Sequence, residues 1–184
     1  MASNINIKEN IKSSALELFN SVGYEATSIR DLSSKAKCSL PMMYYYYESK
    51  EKLLYEIVAI DFIDIMNEIF ASAIKAPHLR AFVSNFANDI INLTPDRKNT
   101  LRIALRLHMG SPKNDTINKI ILSYKFSKEL ELKNKLLSVW RMDKNLEAKT
   151  QLLLTTLYNI MICVLLTNRQ ISVKQIENTV QYLL

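Results

Sequence analysis

The sequence predicts an all-α fold of about nine helices. Its 184 residues include only two glycines and four prolines, too few for a succession of β-hairpins. Apolar residues instead recur at spacings of three and four, as on the buried face of a helix. The chain is long enough for a sizeable core, and we predict two helical regions, residues 1–48 and residues 49–184.

The first two predicted helices are marked by their ends. The first has an apolar stripe and ends at Gly23, because glycine readily adopts the left-handed conformation that follows many helices. Ser28 begins the second helix, since it can form a capping box with Asp31 three residues later. The stripe of the first helix is Ile7, Ile11, Ala15, Leu18, Phe19 and Val22.

A third, short helix is predicted to begin after Ser39. The serine can cap it, and Pro41 lies in its first turn, where the missing N–H of proline costs little. A run of aromatic residues, Tyr44 to Tyr46, then spreads around the helix surface. Two helices joined by a tight turn can place the second in the major groove of B-DNA, with tyrosine hydroxyls bonded to phosphates. The alternative is a plain helical hairpin whose tyrosines cover a neighbouring core.

Eleven residues in and around these two helices are predicted to contact DNA. Leu40 and Tyr45 are expected to face the bases, and Tyr44 and Lys50 the phosphates. Lys50 begins the fourth helix, whose N-terminus also attracts anions, although a solvated surface lysine is the alternative. The full set is Thr27, Ser28, Lys37, Ser39, Leu40, Pro41, Met42, Tyr44, Tyr45, Tyr46 and Lys50.

Residues spread over the first 55 positions carry a family resemblance. They are, in order, Ala15, Phe19, Gly23-Tyr24, Thr27-Ser28, Leu32, Ala36, Ser39, Tyr44, Tyr47, Ser49-Lys50-Glu51 and Leu53-Leu54. In order and spacing they resemble the DNA-binding domain of tetracycline-repressor (TetR) family regulators. The resemblance implies an all-helical homodimer. Its helix-turn-helix domain, residues 1–48, would bind an operator, and its helical ligand-binding and dimerisation domain, residues 49–184, would cause release when a small molecule enters it. Lys37 and Pro41 stand where the family usually has glycine, and Tyr46 where it has histidine or a second aromatic, so base preference is not carried over.

The basic charge of the chain lies mostly outside this region. The net charge is +6, yet residues 1–52 hold seven Lys and Arg against six Asp and Glu. Between Arg97 and Arg141 eleven basic residues face only three acidic ones. These bases are either solvated helix faces, a secondary contact with DNA, or part of an anionic-ligand pocket. For the pocket, Arg102 and Arg106, one helical turn apart, are the candidate ligand-binding pair.

Proline and capping residues divide the C-terminal part into further helices. We expect them at Ser49 to about Ile74, His78 to Leu93, Pro95 to about Met109, and Ser111 to about Trp140 or Met142. An effector pocket is expected among the helices that span about Leu53 to Trp140.

The segment from Thr150 to Asn168 contains no charge and no polar face. A helix of this kind must be covered on all sides by protein or by lipid, and its interspersed Thr and Asn residues favour protein. We therefore predict that one side lies on its own core and the other against a second copy, with a last helix, Ser172 to Leu184, completing a four-helix bundle. The predicted interface residues are Leu153, Leu157, Met161, Val164, Val180 and Leu183.

The sequence contains no motif typical of an enzyme, a cofactor site or a metal site. The two cysteines and two histidines are far apart, and no HExxH or GxSxG segment occurs. The polar N-terminus lacks a secretory signal, which indicates a cytoplasmic protein. We therefore predict a homodimeric repressor that binds an inverted-repeat operator in double-stranded DNA and is released by a small molecule. The alternative is a helical ligand-binding or interaction protein without operator function.

Overall fold

The computed structural model of the protein describes residues 2–110, 115–140, 144–167 and 174–175, and within these ranges all regular structure is helical. The predicted all-α fold is confirmed. The predicted last helix, including Val180 and Leu183, lies outside the described residues except for positions 174–175, and Ser111 lies outside them too. In order, the elements are α1 (Ala2–Ser21), α2 (Ile29–Lys35), α3 (Leu40–Tyr46), α4 (Lys50–Tyr55), a π-helical segment (Glu56–Asp61), α5 (Phe62–Ala73), α6 (Leu79–Ile91), α7 (Pro95–Gly110), α8 (Asp115–Ser138) and α9 (Leu146–Leu165).

Serine side chains cap the short helices near the N-terminus. Ser28 and Asp31 form the predicted capping box: the Asp31 N–H donates to Ser28 Oγ at 3.1 Å, and the Ser28 N–H donates to Asp31 Oδ2 at 2.9 Å. Ser39 caps α3 and Ser49 caps α4, each by accepting one backbone N–H. These bonds satisfy N–H groups that have no partner within the first turn, so each helix begins where its serine stands.

The first compact unit comprises Met1–Ile63 and Pro95–Ile117. Within it α7 packs along α1 and against the π-helical segment. The buried apolar residues of this unit include Ile11, Phe19, Leu32, Met43, Leu53, Leu54, Ile57 and Leu101. The predicted domain boundary after residue 48 stays a prediction. The compact unit itself extends past that residue to Ile63 and also includes α7, from much later in the chain.

The second compact unit comprises Asp64–Thr94 and Asn118–Leu184. Phe82 is fully buried between Phe70 and Trp140, with ring centroids 5.8 and 5.5 Å away. The indole N–H of Trp140 donates to the carbonyl of Ala76 at 3.4 Å, which ties the end of α8 to the start of α6. Helix α9 also packs against α6.

Helix α9 buries one face in its own unit and exposes the other. The predicted interface residues Leu153, Leu157 and Met161 are buried on the inner face, and Val164 is half-buried. The outer face carries Leu152, which is 43% exposed, together with Thr155 and Asn159. The candidate partner-facing side of α9 is therefore the face of Leu152, and not the face of Leu153, Leu157 and Met161. Sequence could not distinguish the two faces, because a helix with apolar residues all round has no periodicity.

Helix α9 has the length and the apolar composition that a membrane-spanning helix needs. It is the one helix in the described part of the chain that meets both criteria. The same test is passed by a helix enclosed between layers of protein. About a third of this helix, 33% of its apolar window, is buried against the chain's own core.

Candidate nucleic-acid interface

Helices α2 and α3 are joined by a tight turn, residues 36–39. Lys37, at its centre, has a φ of 53°, in the left-handed region. Its N–H donates to Ser34 O at 3.2 Å, and the next N–H, of Cys38, donates to Ser33 O at 3.0 Å. Such bonds satisfy carbonyls at the end of a helix and turn the chain sharply. The turn therefore directs α3 away from the axis of α2.

Replacing Lys37 with glycine is expected to stabilise the first unit. A side chain in the left-handed region costs about 1 kcal/mol, and the greater chain entropy of unfolded glycine offsets part of the gain. We expect the free energy of unfolding to rise by up to about 1 kcal/mol, measured by thermal or urea unfolding. Lys37→Ala, which keeps the β-carbon, is the control. Equal stability of the two variants would contradict the strain at this position.

Helix α3 exposes a broad aromatic face. Met43 and Tyr47 are buried in the unit, whereas Tyr44 is 53% and Tyr45 79% exposed. The Tyr45 ring contacts that of Tyr46 edge-on, with centroids 5.1 Å apart. Leu40 is also exposed at the start of the helix. The plain-hairpin alternative, in which these tyrosines cover a core, does not describe Tyr44 and Tyr45. Their exposure fits a helix that contacts another molecule.

Most of the other predicted DNA contacts are also exposed or half-buried. Thr27 is the exception, because its side chain is only 2% exposed and its hydroxyl donates to Gly23 O at 2.7 Å. It holds the loop after α1 and is not available to a ligand. Arg30, exposed on α2, was absent from the predicted set, because a single arginine between helix-cap residues forms no pattern. The exposed members are Ser28, Lys37, Ser39 and Pro41, and the half-buried ones are Met42, Tyr46 and Lys50.

Lys50 holds the loop between α1 and α2. Its Nζ donates to the carbonyls of Tyr24 at 2.8 Å and Thr27 at 2.9 Å, and lies 4.2 Å from the centroid of the Tyr24 ring. The Tyr24 hydroxyl donates to Glu51 Oε1 at 3.3 Å, and burial together with the Glu51 charge raises the pKa of Tyr24. An ammonium has three N–H groups, and the two loop carbonyls occupy two of them.

The predicted ligand-binding arginines lie on α7 and contact protein atoms. Arg106 Nη1 donates to the carbonyl of Asn20 at 2.6 Å, in the last turn of α1, and Arg102 Nη1 donates to Asn99 Oδ1 at 2.9 Å. Asn20 also donates through Nδ2 to Asn99 O at 3.1 Å. Arg106 thus fastens α7 to the C-terminal end of α1, where a positive charge is favoured. Binding of an anionic ligand by this pair stays a prediction.

Within the described ranges, no three His, Cys, Asp or Glu side chains are grouped to hold a metal ion. Cys38 and Cys163 are free thiols. Burial raises the pKa of Cys38, which keeps this thiol protonated near neutral pH and lowers its reactivity.

The N-terminal part of the chain matches a known family. Residues 11–57 match the bacterial regulatory proteins of the tetR family. Over 65 residues the chain is 35% identical to the HTH-type transcriptional repressor NicS of Pseudomonas putida, and the aligned part is 35% of this chain and 27% of NicS. The chain therefore spans only about a quarter of the length of this relative.

Solved structures share the fold over nearly the whole chain. A TetR-like transcriptional regulator from Rhodococcus sp. RHA1 superposes with a TM-score of 0.72 at 18% identity, over 96% of this chain and 92% of that one. AibR, solved in complex with isovaleryl coenzyme A and operator DNA, superposes with a TM-score of 0.68 at 17% identity, over 95% of both chains. At such identities the likeness establishes the fold.

Proposed function

We propose that the chain, whose residues 11–57 match the tetR family of bacterial regulatory proteins, is a transcriptional regulator that binds operator DNA through α3. The observation that carries the proposal is the exposed aromatic face of α3, Tyr44 and Tyr45, presented by a capped helix-turn-helix. Because NicS is named a repressor, we propose repression as the mode of action. The protein is then a cytoplasmic regulator and not an enzyme.

The proposed operator is an inverted repeat read by a homodimer. Two recognition helices related by a two-fold axis enter successive major grooves about 34 Å apart. Support for the dimer comes from the second unit, where large apolar side chains on α8 and α9 are exposed. A soluble monomer rarely exposes so many together, and a second copy would cover them. They are Leu122, Phe126, Leu130, Leu137 and Leu152.

A small-molecule effector is proposed to bind among the C-terminal helices and release the operator. The release requires that the effector favour a conformation with lower affinity for DNA, by about 1 to 3 kcal/mol of coupling. The structure of AibR with an acyl coenzyme A and operator DNA is the precedent for both ligands on one fold. By reciprocity, operator DNA must weaken effector binding by the same factor.

Selection of duplexes from a random library by the purified protein tests the proposal. A regulator of this kind should enrich an inverted repeat, and its affinity for that repeat should fall steeply as salt rises, because phosphate contacts release counterions. The alternative function, a helical ligand-binding or interaction protein without an operator, predicts that no sequence is enriched. Retention of all duplexes equally would also contradict operator recognition.

Replacing Lys50 with alanine is expected to weaken DNA binding and to destabilise the first unit together. The loop carbonyls of Tyr24 and Thr27 lose their charged donor, at a cost of about 1 to 2 kcal/mol, and one phosphate contact is lost. Affinity should fall alike for specific and non-specific duplexes. Lys52→Ala, at an exposed position on the same helix, is the control. If Lys50→Ala had the stability and the DNA affinity of the wild type, Lys50 would neither support the loop nor contact a phosphate.

A further inference from the structure

Six residues between α4 and α5, Glu56–Asp61, form a π-helix. Such segments are rare and are found frequently at functional sites. In an α-helix with 3.6 residues per turn, two side chains five residues apart point about 140° away from each other. Hydrogen bonds from i to i+5 bring them closer to the same side. Glu56 and Asp61, at the two ends of this segment, are five residues apart.

Both carboxylates contact one ammonium group on α1. Lys12 Nζ lies 2.8 Å from Asp61 Oδ1 and 3.6 Å from Glu56 Oε1. Lys8 Nζ lies 3.1 Å from the other oxygen of Glu56. The side chains of Lys12, Glu56 and Asp61 are only about one-fifth exposed, so these charges are partly shielded from water. In α-helical geometry the two side chains would point about 140° apart, which disfavours contact of both carboxylates with Lys12.

The same carboxylates are joined to the end of α3. Tyr47 is the C-terminal cap of α3, and its N–H donates to Met43 O at 2.8 Å. Its buried hydroxyl donates to Glu56 Oε1 at 3.3 Å, and Lys8 Nζ lies 5.5 Å from the centroid of its ring. Glu56 therefore contacts the ammonium groups of Lys8 and Lys12 on α1. It also accepts a hydrogen bond from the Tyr47 hydroxyl, directly after α3. A change in the position of Glu56 must change the support of Tyr47.

The cluster is not fully satisfied in its present arrangement. Asp61 Oδ2 is buried without a hydrogen-bond partner in the described structure. Burial raises the pKa of Asp61, and the nearby charges of Glu56 and Glu9 act in the same direction against the opposing effect of Lys12. Burial alone would lower the pKa of Lys12, but Asp61 and Glu56 outweigh it and raise that pKa. In a low-dielectric interior an unpaired polar atom is costly, and the π register leaves the Asp61 carboxylate only partly satisfied.

We propose that Lys8, Lys12, Tyr47, Glu56 and Asp61 form a register switch for the recognition helix, an inference that rests on the proposed DNA-binding function. In the π register Lys12 bridges both carboxylates, and Glu56 holds Tyr47 and with it α3. When Lys12 releases Asp61, the segment can return to α-helical geometry, and Glu56 turns away from Tyr47. The π register is then the state that fixes α3 for DNA, and its loss lowers operator affinity.

Operator binding by three variants tests the switch, with an inverted repeat selected by the wild type as the probe. Lys12→Met and Tyr47→Phe should each weaken binding about 5- to 20-fold, a size typical of coupled sites. The double variant should bind the operator no more weakly than whichever single variant binds it less tightly, because both substitutions act through Glu56. Lys133→Met is the matched control, since Lys133 also bridges two carboxylates, Glu129 and Glu147, but lies in the second unit.

Amide hydrogen exchange in the DNA-free protein gives an independent measurement. Exchange at residues 43–47 should quicken in Lys12→Met and in a variant that lacks the exposed Ile60, because deleting one residue from a π segment restores α-helical geometry. Lys133→Met should exchange like the wild type. If Lys12→Met does not fold, Asp61→Asn, which has nearly the same volume, replaces it in both experiments.

Two results would overturn the switch: independent, multiplying effects of Lys12→Met and Tyr47→Phe on operator affinity, or unchanged exchange at residues 43–47. Either would mean that the cluster only stabilises the fold. If the wild type selected no DNA, the proposed function would fail, while the exchange measurement would still decide whether the π segment controls α3.

Discussion

Replacing Leu152 with glutamate is expected to leave the chain folded but monomeric, with operator affinity lowered about 100-fold. Leu152 is exposed on the outer face of α9, so a carboxylate there is tolerated by the chain's own core. In the proposed dimer the same position is covered by a second copy, where an unpaired charge costs several kcal/mol. Loss of the dimer separates the two recognition helices and removes the gain of binding two half-sites at once.

Leu157→Glu is the matched control on the opposite face of the same helix. Leu157 is only 5% exposed, so its replacement places a charge in the core of the second unit and should unfold that unit or aggregate the protein. Sedimentation and circular dichroism distinguish the two outcomes. A wild-type chain that sediments as a folded monomer near 21.2 kDa at micromolar concentration would contradict the dimer and the paired recognition helices.

The short helices near the N-terminus could be predicted because their signals are local. A capping serine and the N–H groups that it satisfies are separated by only a few residues, so Ser28, Ser39 and Ser49 mark the starts of α2, α3 and α4 in the sequence itself. The exposure of Tyr44 and Tyr45 likewise follows from helical spacing, once Met43 and Tyr47 are assigned to the core. These features involve no residue distant in sequence.

The remaining features depend on partners far away in the chain. The packing of α7 on α1 joins Arg106 to Asn20, and no periodicity in either helix indicates this pairing. Thr27 is the exception, because its hydroxyl donates to a carbonyl only four residues earlier; a polar loop residue predicts a surface contact, but Thr27 is only 2% exposed. The composition of the π segment does not distinguish it from an α-helix. The contacts of its two carboxylates are made with Lys12, which lies on another helix. Tertiary contacts of this kind override local preference.

Replacing Tyr45 with glutamate is expected to lower operator affinity about 100-fold without changing stability. Tyr45 is 79% exposed, so the folded chain loses little beyond its contact with the Tyr46 ring. In the proposed complex this position lies in the major groove between phosphates, where a carboxylate adds repulsion to the loss of the aromatic contact. The repulsion is screened by salt, so the difference from the wild type should shrink as ionic strength rises.

Tyr55→Glu separates this effect from the change in net charge. Tyr55 is 46% exposed on α4, so its replacement alters the charge of the first unit equally, at a position outside the proposed contact surface. Fluorescence anisotropy with the selected inverted repeat, measured at two salt concentrations, compares the two variants. A small and equal loss in both would mean that only overall charge matters, and α3 would then not be the helix that enters the groove. A large loss confined to Tyr45→Glu would place the exposed face of α3 against the DNA.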